Sequence, residues 1–374
     1  MSRFAGMILC GMTERGHKVE SWTSRQTFGR LPIPSAFIRK WLGYADQFLV
    51  YPRELRQLVN RQPSDTLFVV TDQALGMWVP CFAHRPHVIH CHDFLALKSA
   101  LGEFSENPTG WTGRQYQQRI RKGFSRGKTF ISVSEKTRED LHRFLPRVPK
   151  ISEVVRNGLN HPFRPMEMAE RISLLKQVGV EIPKHGFIVH IGGNQWYKNR
   201  RGVLEIYRVY VHSHPNPLEL WMIGAKPSDQ LLNLAASIPK SGKVHFLSGL
   251  TNEQVNAAYS HARVLLFPSL EEGFGWPIVE AMACGTPVIA TDRAPMREVG
   301  GSSAYYIHRM NSSLENDHLW AVDGAKCLQT ILNLKTKKLD ALRCEGLKHV
   351  EQFAAEKSLD CYERIYQRTV KLWE

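Results

Sequence analysis

The chain has 374 residues, 43% hydrophobic and 22% charged, with a formal net charge of +14. That length suits two domains of ordinary size, and that balance belongs to a soluble globular protein, not a disordered or fibrous one. No stretch reaches the roughly 18 apolar residues of a membrane span, and no apolar core follows a basic start as in a signal peptide.

The seven cysteines (10, 81, 91, 284, 327, 344 and 361) form no Cys-x-x-Cys pair. This argues against a zinc site or a disulfide framework and suits a reducing cytosol. The positive charge is concentrated early: residues 1–165 carry 25 Lys+Arg against 13 Asp+Glu. A basic half favours an anionic partner such as phospholipid headgroups or a lipid diphosphate. The plainer alternative is a solvated basic surface. Arg114, Arg119, Arg121, Lys122, Arg126 and Lys128 form its densest cluster. No zinc finger or aromatic stacking motif accompanies them, so no nucleic-acid partner is expected.

In chain order, Phe4–Met12 reads as a helix and Lys18–Trp22 as a weak strand. Apolar runs at Leu67–Thr71, Val88–Cys91, Phe130–Val133 and Ile151–Val155 predict buried strands. Helical patterns at Tyr51–Asn60, Arg114–Phe124 and Lys136–Phe144 separate them, with Ser134 an N-cap for the last. A polar, proline-containing stretch, Asn160–Pro165, reads as a linker. Strands then recur at Phe187–Ile191, Leu218–Ile223, Val244–Leu247, Val264–Phe267 and Val288–Ala290. Strands alternating with helices imply parallel sheets covered on both faces. The expected architecture is α/β, with two doubly wound domains whose ligand lies beyond the C-terminal strand ends.

The densest signal is Phe267-Pro-Ser-Leu-Glu-Glu-Gly-Phe-Gly-Trp-Pro-Ile-Val-Glu280. A buried strand stops at Pro268, a loop with Gly273 and Gly275 follows, and Pro277 opens a helix that Gly285-Thr-Pro287 closes. The loop sets backbone N–H groups and the positive end of a helix beside Glu272 and Glu280. Bare amides suit phosphate, whereas carboxylates accept hydrogen bonds from sugar hydroxyls. Phosphate and polyol recognition in one place is what a nucleotide-sugar requires.

This segment resembles the retaining GT-B glycosyltransferases of family 4 (group 1), whose signature is two glutamates separated by seven residues in a Gly-Phe-Gly-(apolar)-Pro context. The spacing selects Glu272, not Glu271, as partner of Glu280. The resemblance implies two Rossmann-like domains facing a cleft: an acceptor-side domain over 1–165, a nucleotide-sugar domain over 166–355, and a final helix, 356–374, crossing back onto the first domain. It also implies that Glu280 holds the ribose and Glu272 the donor sugar, while the amides of Gly273, Phe274 and Gly275 face the diphosphate. Gly192 and Gly193 form a turn after a strand, followed by Lys198 and Asn199. This is a plausible diphosphate clamp in which Lys198 carries the charge, with Arg200 and Arg201 as candidate helpers. Leu250 lies where relatives contact the base. His92, at a strand end before Asp93, resembles the family histidine that meets the transferred sugar, and His90 reads as a strand residue.

The two histidines have ligand spacing without a third ligand, so no metal is expected, and no cofactor beyond the UDP- or GDP-sugar substrate. The function implied is hexosyl transfer, with retention, to a saccharide or lipid-linked acceptor in cell-surface polysaccharide or glycolipid synthesis. Mannose carried by GDP is the mildly preferred donor. A cytoplasmic location is expected, with peripheral contact at the inner face of the plasma membrane. The chain departs from the family at its start. Only 14 residues precede Arg15-Gly-His-Lys-Val19, too few for the family's first strand and glycine loop as well as a helix. The alternatives are a nucleotide-sugar-binding protein without turnover, or another GT-B reaction such as epimerisation or phosphorolysis.

Overall fold

The computed structural model describes residues 2–24, 28, 35–311 and 314–373. These form two compact units: Met1–Glu103, Thr109–Arg156 and Glu356–Glu374 make the first, Phe104–Pro108 and Asn157–Ala355 the second.

The first unit starts with α1 (Ser2–Glu14) and α2 (Ala36–Ala45), which passes through a π turn at Asp46–Val50 into α3 (Tyr51–Asn60). There follow β1 (Phe68–Val70), a 3-10 stretch at Gln73–Cys81, β2 (His87–Cys91), α4 (Leu95–Ala100), α5 (Trp111–Phe124), β3 (Thr129–Ser132), α6 (Glu135–Phe144) and β4 (Ile151–Val154). The sheet is parallel, in the order β1-β2-β3-β4. All five residues of β2 are buried, which is why this strand is a continuous apolar-and-histidine run without alternation. Ser134 caps α6 by accepting from the Thr137 amide at 3.1 Å.

Lys18–Trp22 is not a strand. It is irregular backbone, and Val19 and Trp22 are drawn in by their side chains, Trp22 meeting Phe68 at 5.9 Å. Its apolar residues find side-chain partners but no strand edge to pair with.

The second unit contains α7 (Met168–Lys176), β5 (Ile188–Gly192), α8 (Arg200–His212), β6 (Leu220–Gly224), α9 (Asp229–Ala236), β7 (Val244–Leu247), α10 (Asn252–His261) and β8 (Val264–Phe267). It continues with α11 (Trp276–Ala283), β9 (Val288–Thr291), α12 (Met296–Gly300), β10 (Tyr305–Ile307), α13 (Leu314–Leu332) and α14 (Thr336–Val350). All six strands are parallel, in the order β10-β9-β8-β5-β6-β7. From β5 the chain fills one side of the sheet, then returns to start the other at β8. The β5–β8 junction is therefore the topological switch point, where open α/β sheets bind ligands beyond their strand ends. The Asn160–Pro165 stretch belongs to this unit: Phe163 is buried and meets Tyr259 of α10 edge-on at 6.0 Å.

The last helix, α15 (Ala355–Lys371), packs on the first unit. Leu359, Tyr362, Ile365 and Tyr366 recur at helical spacing and bury with Phe4, Ile8, Met12, Val88, Ile131 and Ile151. His90 and Tyr366 share a buried hydrogen bond of 2.7 Å, and Arg15 pairs with Glu356 at 2.6 Å and Asp360 at 2.8 Å.

Candidate active site

β8 is wholly buried and ends at Pro268, whose ring cannot continue the ladder, so the chain leaves the sheet at the switch point. The following five residues are pinned one after another. Asn199 Nδ2 donates to the Pro268 carbonyl at 3.0 Å and Thr291 Oγ1 to the Ser269 carbonyl at 2.7 Å. The Leu270 amide donates to the Tyr197 carbonyl at 2.7 Å. Glu271 turns inward, 2% exposed, with Arg293 Nη1 at 3.0 Å. Glu272 turns the other way, and its Oε1 lies 2.7 Å from Lys198 Nζ. Gly275 adopts φ +103°, a left-handed conformation that favours glycine, and lets α11 begin immediately after the loop. No side chain caps that helix, and Pro277 occupies its first turn.

Lys198 comes from the other side of the switch point. β5 ends at Gly192, a single turn spans Trp196–Lys198, and Asn199 takes φ +49° at the start of α8. Asn199 Oδ1 accepts from the Gly202 amide at 3.1 Å, so this residue caps α8 and ties it to Pro268. The lysine and Glu272 are 16% and 8% exposed, which makes their ion pair much less screened than a surface pair. Gly192 packs against Lys198: a Cβ there would stand 3.4 Å from the lysine Cβ and 3.0 Å from His190 Nε2. His190 is fully buried, its Nδ1 2.9 Å from the Leu266 carbonyl, and burial pushes its pKa down to about 3. Beneath the glycine turn lies a neutral imidazole.

Glu280 sits on α11, where Tyr259 donates its hydroxyl to Oε2 at 3.0 Å. Burial, and then Glu280 itself, raise the Tyr259 pKa far above normal, so the phenol stays a donor. Gly193 follows Gly192 at the strand end beside Gln195, and Leu250 follows β7 just before the Thr251 cap of α10. Arg200 binds Asn194 and the Ala225 carbonyl, and Arg201 pairs with Asp317 at 2.7 Å. Neither arginine joins Lys198 and Glu272.

In the first unit, His92 follows β2. Its Nε2 lies 2.9 Å from the Thr71 carbonyl and its amide donates to Gln73 Oε1 at 2.8 Å, while Phe4 meets the ring edge-on at 4.6 Å. Burial lowers its pKa. The carbonyl takes the Nε2 proton, leaving Nδ1 as the acceptor of a neutral ring.

Sequence reasoning missed Arg293, Arg309, Tyr259 and Asp72. Asp72 follows β1, caps the next turn through Ala74 at 2.8 Å, and is pushed up to about 6 by burial. Only its place after an apolar run could have flagged it. Among the described residues no group of three or more His, Cys, Asp or Glu is placed to hold a metal ion, and no helix is long and apolar enough to cross a membrane.

The site is a lysine–glutamate pair at the switch point of a parallel α/β sheet, with a second glutamate on the helix that follows. The family model for glycosyl transferases group 1 matches residues 174–304, and that for the glycosyl transferase 4-like domain matches 1–158. The chain belongs to the group 1 (family 4) glycosyltransferases of GT-B fold. It is 25% identical over 192 residues to O-antigen chain mannosyltransferase B of Escherichia coli, a match spanning 51% of this chain and 50% of that protein. The chain thus spans about half the length of that relative. WaaG, a glycosyltransferase involved in lipopolysaccharide biosynthesis, shares the fold with a TM-score of 0.70 at 16% identity, covering 96% and 95% of the two chains. HepE of Anabaena, solved in complex with UDP, has a TM-score of 0.64 at 16% identity, covering 86% and 83%.

Proposed function

We propose that this glycosyltransferase moves a hexose from a UDP- or GDP-sugar to a saccharide or lipid-linked acceptor, with retention of configuration, in the assembly of cell-surface polysaccharide or glycolipid. The observation that carries this reading is the 2.7 Å pair between Lys198 and Glu272 at the switch point. A lysine there meets the donor's diphosphate, and the carboxylate beside it meets the hydroxyls of the sugar that the diphosphate carries. Glu280, oriented by Tyr259, takes the ribose.

In the reaction the bond between the anomeric carbon and the diphosphate oxygen lengthens first. Negative charge grows on the leaving phosphate, where Lys198 and the amides of Phe274 and Gly275 stabilise it. Positive charge grows on the sugar ring, beside Glu272. The acceptor hydroxyl then attacks from the face that the phosphate leaves, and its proton passes to a phosphate oxygen. No side-chain nucleophile is required. His92 accepts a hydrogen bond from a sugar hydroxyl through Nδ1. Mannose is the favoured sugar, in keeping with the mannosyltransferase relative.

The first unit carries the proposed membrane contact, at a cytoplasmic face. Trp111 is 72% exposed on α5 and Trp41 51% exposed on α2, and the two helices are joined where Tyr116 meets Tyr44 and Phe48. Arg114, Arg119 and Lys122 share α5 with Trp111. Co-sedimentation with anionic but not neutral vesicles is expected.

The activity itself is tested by incubating the protein with UDP- and GDP-sugars and a panel of saccharide and lipid-linked acceptors. Acceptor-dependent release of one nucleoside diphosphate, lost in Lys198→Ala, supports transfer. Tight binding without release on any acceptor would favour a non-catalytic nucleotide-sugar-binding protein.

A further inference from the structure

We infer that Glu271, held by Arg293 and Arg309, is a positioning residue that fixes the direction in which Glu272 faces the donor sugar. This rests on the assignment of Glu272 to the sugar made above.

The two glutamates are neighbours with opposite fates. Glu272 reaches Lys198, whereas Glu271 is buried at 2% exposure beneath the same loop. Its Oε1 is approached by two arginines from adjacent strand ends. Arg293, after β9, places Nη1 at 3.0 Å, and Arg309, after β10, places Nε at 3.7 Å. Arg309 is itself fully engaged. Its Nε donates to the Leu270 carbonyl at 3.3 Å, Nη1 to the Met310 carbonyl at 3.2 Å, and Nη2 to Glu106 at 3.0 Å.

A buried ion pair of this kind is weak evidence for stability, because an apolar side chain of similar size would often serve as well. What the arginines add is direction. Two fixed positive charges approach one carboxylate oxygen, Oε1, as ion pairs, and a planar guanidinium holds its charge in a more defined place than a lysine would. Fixing Glu271 at its side chain, and Leu270 at its carbonyl, fixes the peptide that carries Glu272. The loop amides that follow are set by the same constraint. Lys198 alone could not do this, since its flexible stem follows wherever Glu272 goes.

The test separates the sugar from the nucleotide. Affinities for UDP and UDP-glucose, and for GDP and GDP-mannose, are measured by calorimetry on wild type, Glu271→Gln and Arg293→Gln, with kcat and KM for whichever donor is turned over. Arg293 is exposed, 41% at its side chain, so its variant keeps the test open where Glu271→Gln does not fold. The inference predicts nucleoside diphosphate affinity within about twofold of wild type, with the added affinity for the nucleotide-sugar and kcat both falling about tenfold in Glu271→Gln, the size expected for one misplaced charged hydrogen bond. Arg293→Gln falls in the same direction by less. Folded variants with the wild-type ratio of the two affinities and the wild-type kcat would overturn the inference. A wild-type protein that binds neither nucleotide nor nucleotide-sugar would instead remove the site assignment on which it rests.

Discussion

Tyr259 donates its hydroxyl proton to Glu280 Oε2 across 3.0 Å, linking two consecutive helices of the second unit. The phenol is fully buried, so its hydrogen bond has no water to replace it. Tyr259→Phe removes this donor to Glu280. Stability should fall by about 1.5–3 kcal/mol, the usual size of one hydrogen bond to a charged group. With Glu280 on the ribose, as proposed, donor affinity should fall several-fold with kcat little changed, because such a contact is made equally in ground and transition states. Chemical denaturation and steady-state kinetics check the two halves.

Lys198 is predicted to act mainly in the transition state. Lys198→Met should lower kcat by roughly 10²–10³, the size seen when one preorganised charge-stabilising group is lost. Lys198→Arg should recover part of this, since it restores the charge in a different shape. A rise in KM alone, with kcat unchanged in Lys198→Met, would show that the lysine only binds.

Asp72 gives a pH prediction with a definite sign. Its carboxyl is raised by burial from 3.8 to about 6, so the folded state holds its proton more tightly than the unfolded chain. Its contribution is fully present below about pH 4 and is lost as pH rises through about 6. Asp72→Asn keeps an acceptor for the Ala74 amide without the charge. It should raise stability by about 1–2 kcal/mol at pH 8 and by little at pH 4. Urea midpoints at the two pH values measure the difference.

His90 acts in the opposite sense. Burial pushes it down to about 3 from an ordinary 6.5, so the unfolded chain binds the extra proton. Stability from this site is fully present above pH 6.5 and declines as pH falls toward 3. His90→Phe should flatten the acid limb of the unfolding profile. Loss of the hydrogen bond to Tyr366 should also lower stability at pH 7, by about 1 kcal/mol.

Much of this site is legible in the amino-acid sequence. Val264–Phe267 is an unbroken apolar run, Pro268 ends it, and Gly275 with Pro277 marks the loop-to-helix passage, so local chemistry puts Glu272 on the loop and Glu280 on the helix, while distant partners orient them. Gly192 and Lys198 are legible for the same reason. β10 is not, because Tyr305–Ile307 is three residues long and its two tyrosines are only half-buried. The partners of Glu271 lie 22 and 38 positions further along the chain, brought near only by the order of β8, β9 and β10. Lys18–Trp22 fails in the other direction, its pattern satisfied by side-chain packing without a strand. The burial of Asp72 and the bond from Tyr259 to Glu280 are tertiary facts that no local period encodes.

Donor binding at the Glu272–Glu280 loop is the claim on which the rest depends. Thermal unfolding of wild type and Glu280→Ala, followed during titration with UDP-, GDP- and ADP-sugars, examines it without any acceptor. One nucleotide class should stabilise the wild type by roughly 2.7 kcal/mol at 100 times its Kd, a shift of a few degrees, and leave Glu280→Ala unmoved. A wild type indifferent to all three classes, or a variant stabilised as strongly as the wild type, would contradict the assignment of this loop to the donor.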